Sequence, residues 1–135
     1  MGIVVFDSDV LIGYLDAGDA HHAAAVAVMA TSMAEGTRRL LCAVTYSEVL
    51  VGPIRAGRGD VFRQMMAELA IQVVPVDSTL AEEAAAVRVV TRLRLPDAYV
   101  LATAAVAAAR ERDDVRVESF DRSLLKAHAA RALRV

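Results

Sequence analysis

A chain of 135 residues in which 56% are hydrophobic is long enough for one domain with a core, and too apolar for disorder. Its net charge of −2, from 17 acids against 15 lysines and arginines, does not advertise a basic nucleic-acid-binding domain. One cysteine excludes an internal disulfide, and the opening "MGIVVFD" reaches an acid before a signal-like core can form, so a cytoplasmic protein is expected.

Residues 3–6 are short, apolar and β-branched, which predicts a buried strand. Asp7, Ser8 and Asp9 follow at once, and residues 8–16 predict a short helix. Between Asp19 and Gly36, the residues His22, Val26, Met29 and Met33 recur at spacings of four, three and four, which predicts an amphipathic helix along that stripe. The adjacent His21 and His22 point to different helix faces and are read as surface or helix-start residues, not a metal pair. "RLLCAV" at 39–44 predicts a second strand with Cys42 as a small buried hydrophobe. Residues 45–57 predict a helix disturbed by Gly52 and Pro53, and 59–69 another, with Met65 and Met66 as packing or interface residues.

"IQVVPV" at 71–76 predicts a third strand closed by Pro75. Residues 77–94 predict a helix capped by Asp77 or Ser78, with Leu80, Ala84, Val87 and Thr91 along one face. Pro96 suits the first turn of an alanine-rich helix reaching about Arg112, whose apolar stretch 98–109 is too short to span a bilayer. A fourth strand is expected at 115–120, a last helix at 121–130 and a fifth strand at 132–135.

Strands alternating with helices predict an α/β fold: one three-layer α/β/α domain over residues 1–135, with a central, mostly parallel sheet of four to five strands. Ligands in such sheets collect beyond the carboxyl ends of the strands. Asp7 follows the first strand and Asp121 the fourth, Asp97 starts a helix, and Glu48 lies in the helix after the second strand. Each has a plain alternative reading as a helix cap, a dipole partner or a partly exposed helix residue. Together, four carboxylates at one sheet edge repel one another and cannot all ionise unaided. A divalent cation relieves this, and all-oxygen ligands favour magnesium or manganese over zinc. Such a cation suits phosphodiester cleavage, because it polarises a phosphoryl oxygen and activates water.

The stretches "VVFDSDVLIGYLD", "TYSEVLVG", "LPDAYVLATA" and "ESFDRSL", in that order and approximate spacing, resemble the PIN-domain ribonucleases, especially the VapC-type toxins of bacterial toxin–antitoxin pairs. The resemblance covers nearly the whole chain. It implies a PIN-like fold with Asp7, Glu48, Asp97 and Asp121 as the catalytic, metal-holding quartet, supported by the hydroxyls of Ser8 and Ser119. It further implies an endoribonuclease dependent on Mg2+ or Mn2+ that cleaves structured cellular RNA. A homodimer inhibited by a small antitoxin is implied as well. Metal-activated water attacking phosphorus in line would leave 5′-phosphate and 3′-hydroxyl ends. Asp9 stands where the family often has a neutral residue; it either joins the metal shell or caps the helix, and the cap is the first reading.

The sequence leaves two other functions open. The strand followed by Asp7-x-Asp9 also looks like the first motif of haloacid-dehalogenase phosphatases, with Asp7 as nucleophile. That chemistry needs a lysine followed by further acids, but no acid follows Lys126, which alone among the 15 cations is lysine. The other is a catalytically inactive PIN-like module that only binds. Arg55, Arg58 and Arg63, with Arg122 beside Asp121, are candidate RNA-phosphate contacts; for residues 54–63 a solvated helix face is the first reading and an antitoxin contact another.

Overall fold

The computed structural model describes residues 2–132. The strands are β1 (Gly2–Phe6), β2 (Arg38–Cys42), β3 (Ile71–Val74) and β4 (Asp114–Glu118). The helices are α1 (Ser8–Leu15), α2 (His22–Ser32), α3 (Ala43–Arg55), α4 (Gly59–Glu68), α5 (Ser78–Thr91), α6 (Leu95–Glu111) and α7 (Arg122–Ala132). The four described strands form one parallel sheet in the order β3-β2-β1-β4, as alternation of strand and helix requires. The expected fifth strand at 132–135 lies outside the described residues, save for Ala132, which ends α7.

Alternation within the strands builds two cores. Ile3, Val5, Leu40, Cys42 and Val117 face α5, α6 and α7. Val4, Phe6, Leu41 and Ile71 face the other way, onto Val10, Leu11, Met29, Val49 and Phe62 of α1 to α4. This is the three-layer α/β arrangement expected from the sequence. Among the described residues, no helix is long and apolar enough to cross a membrane.

Some local expectations are corrected. The second strand ends at Cys42, and α3 begins directly at Ala43, taking Val44 into a helix. The fourth strand stops at Glu118, which frees residues 119 and 120 for the turn into α7. Pro53 lies inside α3 without breaking it, because it sits in the last turn; Ala56 N–H then closes on Gly52 O at 3.1 Å. The inner face of α2 is Ala25, Met29 and Ser32, while Val26 and Met33 are exposed. A small residue wins at position 25 because α2 lies hard against Gly13 of α1, where an added Cβ would come within 3.3 Å of the Ala25 Cβ.

The order β3-β2-β1-β4 fixes where a ligand fits. The chain runs outward from β1 to β3 and then returns to the other side of β1. The crevice at the carboxyl ends of β1 and β4 is therefore the topological switch point, the usual binding place in open parallel sheets.

Candidate active site

Asp7 is the first residue beyond β1, and its N–H still bonds to Glu118 O of β4 at 2.9 Å. Its backbone is extended and it is the N-cap of α1, with Oδ1 accepting from Ser8 N–H at 2.8 Å. Its other oxygen, Oδ2, accepts from the Ser119 hydroxyl at 2.7 Å. The capping reading and the site reading of Asp7 thus describe one residue doing both. Asp121, the residue before α7, likewise caps: Oδ1 accepts from Ser123 N–H at 2.9 Å and Leu124 N–H at 3.3 Å. Its own N–H donates to Ser119 Oγ at 3.0 Å. One hydroxyl therefore joins the two aspartates at the ends of neighbouring strands. Ser8 contributes its backbone N–H to this network.

Asp9 is not the helix cap. It lies in the first turn of α1, and Oδ2 accepts from Phe120 N–H at 3.0 Å and lies 3.4 Å from the Ser119 hydroxyl. A carboxylate reaches these donors because the strand has already ended at Glu118, leaving Phe120 N–H without a ladder partner. The other oxygen, Asp9 Oδ1, is buried with no hydrogen-bond partner.

Asp97 lies in the first turn of α6, half-buried, with Arg94 Nε 3.5 Å from its Oδ2. Glu48 is on the exposed side of α3. It borders a groove of about 530 Å3 that is also lined by Ile12, Leu15, Val49, Arg58 and Phe62.

Electrostatics tie these groups together. Burial raises the Asp7 carboxyl above its ordinary range, and the charges of Asp97 and Asp121 raise it further, against the hydrogen bonds from Ser119 and Ser8. Burial, then the Asp7 charge, pushes Asp9 up to about 6. Glu48 is raised by its own desolvation and then by Asp7 and Asp97, with Arg94 opposing. Asp7 thus feels Asp97 and Asp121, and Glu48 feels Asp7 and Asp97.

Among the described residues, no three His, Cys, Asp or Glu side chains stand together closely enough to hold a metal ion as they are. The donor chemistry still fits a hard dication: the groups are carboxylates, neighbouring acidic charges help to raise Asp7 and Glu48, and a buried Asp9 oxygen lacks any donor. The one cation affecting two of them is Arg94, whose side chain is 80% exposed, so it neutralises little. Arg94 is not among the residues expected from the sequence, although its place three residues before Asp97 at a helix start is a usable signal.

The four arginines considered for RNA stand differently. Arg55, Arg58, Arg63 and Arg122 are all exposed. Arg63 is engaged by Asp60, Arg58 lines the groove shared with Glu48, and Arg122 opens α7 beside Asp121. His21 and His22 make no metal pair: His21 stacks on Phe120, and His22 Nδ1 lies 2.8 Å from Gly13 O.

The PIN domain family profile matches residues 4–130. Among solved structures, a toxin–antitoxin complex from Klebsiella pneumoniae matches with a TM-score of 0.61 at 26% identity, over 83% of this chain and 82% of that one. VapC20 of Mycobacterium tuberculosis, described as a toxin cleaving the sarcin-ricin loop, matches with a TM-score of 0.68 at 17% identity, over 92% and 94%. At that identity the second likeness is one of fold. No curated protein sequence matches.

Proposed function

Because this chain belongs to the PIN domain family, we propose that it is a metal-dependent endoribonuclease, the toxin of a VapC-type toxin–antitoxin pair, working as a single domain and a homodimer. The observation that carries this reading is the Ser119 bridge. It sets Asp7 and Asp121 together at the switch point of the sheet, in electrostatic contact with Asp97 and through Asp7 with Glu48.

Asp7, Glu48, Asp97 and Asp121 would hold Mg2+ or Mn2+, with the unpartnered oxygen of Asp9 available beside them. When bound, the cation supplies a Lewis acid at the phosphoryl group and a lowered pKa for water. The protein's part is to fix the carboxylates. Ser8 N–H and the Ser119 hydroxyl hold the two Asp7 oxygens in place, and the α7 cap holds Asp121. Water attacks phosphorus in line and the P–O3′ bond breaks, leaving 5′-phosphate and 3′-hydroxyl ends. Arg94, near Asp97, is placed to meet charge arriving with the substrate.

The Klebsiella pneumoniae likeness supports an antitoxin partner, and Arg58 in the groove beside Glu48 is the arginine best placed to meet RNA near the carboxylates. Incubating the purified chain with RNA and Mg2+, Mn2+ or chelator tests the reading. Cleavage is expected with the metals only, with 3′-hydroxyl ends, and is lost in Asp7→Asn. Products ending in 2′,3′-cyclic phosphate, or equal cleavage in chelator, would overturn it. An inactive binding module would cleave under none of these conditions.

A further inference from the structure

The last residue before α2, His21, lays its ring on Phe120, with centroids 4.6 Å apart and planes 16° from parallel. Phe120 sits between Ser119 and Asp121, and its N–H is held by Asp9. One face of α1 builds this stack. Asp9 and Gly13 lie one turn apart on that helix, so they share a face. Asp9 receives Phe120. Gly13 packs against the start of α2, where an added Cβ would stand 3.3 Å from the Ala25 Cβ and 3.4 Å from His21 O. The loop is fixed on either side: His21 N–H donates to Asp19 Oδ1, and His21 O accepts from Ala25 N–H, both at 2.8 Å.

The stack is therefore well supported from beneath, yet His21 is exposed and Phe120 only half-buried. One face of the imidazole is covered by Phe120. Its other face is a flat π surface that makes no aromatic contact among the described residues, and Phe120 beneath the ring directly precedes the Asp121 turn. The neighbouring carboxylates repel an RNA backbone when no cation offsets them, and the exposed Arg58, Arg94 and Arg122 attract phosphate without selecting a base. Base stacking on an aromatic ring is insensitive to that repulsion, and histidine is among the side chains that provide it.

We infer that His21, seated on Phe120, is a nucleobase platform: an unpaired RNA base packs on the open face of the ring and sets the adjoining phosphodiester over Asp7 and Asp121. The second half of that statement rests on the nuclease reading above; the first does not. His21 is a positioning residue, and the substrate class it selects is a splayed, unpaired nucleotide rather than a continuous duplex.

The test measures binding of short fluorescein-labelled single-stranded oligoribonucleotides to the full chain in chelator, where cleavage is not expected. His21→Ala should weaken binding by about 5- to 150-fold, the range of one lost base stack. His21→Tyr, which keeps a ring, should stay within about threefold of the parent. Replacing one nucleotide at a time by an abasic residue should reveal a position at which His21→Ala costs nothing further. In cleavage assays with metal, KM should rise in His21→Ala while kcat changes little. Equal binding by the parent and His21→Ala, or loss of binding in His21→Tyr as large as in His21→Ala, overturns the platform. Comparing cleavage by the parent and Asp7→Asn keeps the two ideas apart. Binding that depends on His21, in a chain whose cleavage ignores Asp7, sinks the nuclease assignment and leaves the platform standing.

Discussion

Ser119 donates its hydroxyl hydrogen to Asp7 Oδ2 at 2.7 Å, across 112 positions of sequence, while its own Oγ accepts from Asp121 N–H at 3.0 Å. Ser119 is 7% exposed, so water cannot readily replace it. Ser119→Ala should leave the Asp7 carboxylate and the Asp121 amide each short of a partner. A stability loss of about 1–3 kcal/mol in chemical denaturation is expected. Activity should fall by about 10- to 100-fold, the usual penalty when a group orienting metal ligands is lost. A variant with parental cleavage and stability would show the bridge to be incidental.

On the proposed metal-dependent reading, Asp7→Asn and Asp97→Asn should each reduce cleavage by at least about 100-fold, because each would remove a negative oxygen from the shell of the cation. The folds should survive. For Asp7 two effects oppose: burial already disfavours its charge, whereas Asn keeps only one of the two acceptors used by Ser8 N–H and the Ser119 hydroxyl, so the metal-free midpoint of thermal unfolding should change little. Circular dichroism melts beside the cleavage assay separate lost chemistry from lost structure.

Asp9 gives a pH dependence. Its carboxyl is raised from 3.8 to about 6 on folding, so the native state holds the proton more tightly than the unfolded chain does. Its contribution to stability is complete below pH 3.8 and is lost as pH rises through about 6. The metal-free protein should therefore lose stability over that interval through Asp9. Asp9→Asn, which can still accept from Phe120 N–H, should flatten this part of the profile. The difference between the two melting curves in chelator isolates Asp9, and identical slopes would refute the assignment.

A stability gain is available far from the site. Ala70, exposed between α4 and β3, has φ of 50°, a left-handed conformation that costs an L-residue roughly 1–2 kcal/mol. Glycine escapes that cost but gives back part of it through the freedom of the unfolded chain. Ala70→Gly should add about 0.5–1 kcal/mol in urea unfolding, with cleavage unaltered.

Much of the architecture was legible because each strand is a short apolar run followed by a polar break. "IVVF" before Asp7 announces both the strand and the residue at its end. Asp77 as a cap was legible for the same local reason, and its carboxylate does accept from Leu80 N–H at 2.9 Å. The face of α2 was not, because Val26 and Met33 look like core by hydropathy, while space decides in favour of Ala25 beside Gly13. The role of Asp9 was hidden for a different reason. Its partner, Phe120 N–H, lies 111 positions away, and no periodicity reports that a backbone amide will fall out of a strand ladder there. The stack of His21 on Phe120 is likewise a product of the tertiary fold alone.

Placing β4 beside β1 has a consequence for biosynthesis. Asp7 leaves the ribosome early but has neither the Ser119 hydroxyl nor the Asp121 neighbour until β4 has emerged and docked against the first strand. A chain that lacks β4 thus carries an incomplete cluster of acids, and the site is assembled only when the two ends of the domain meet.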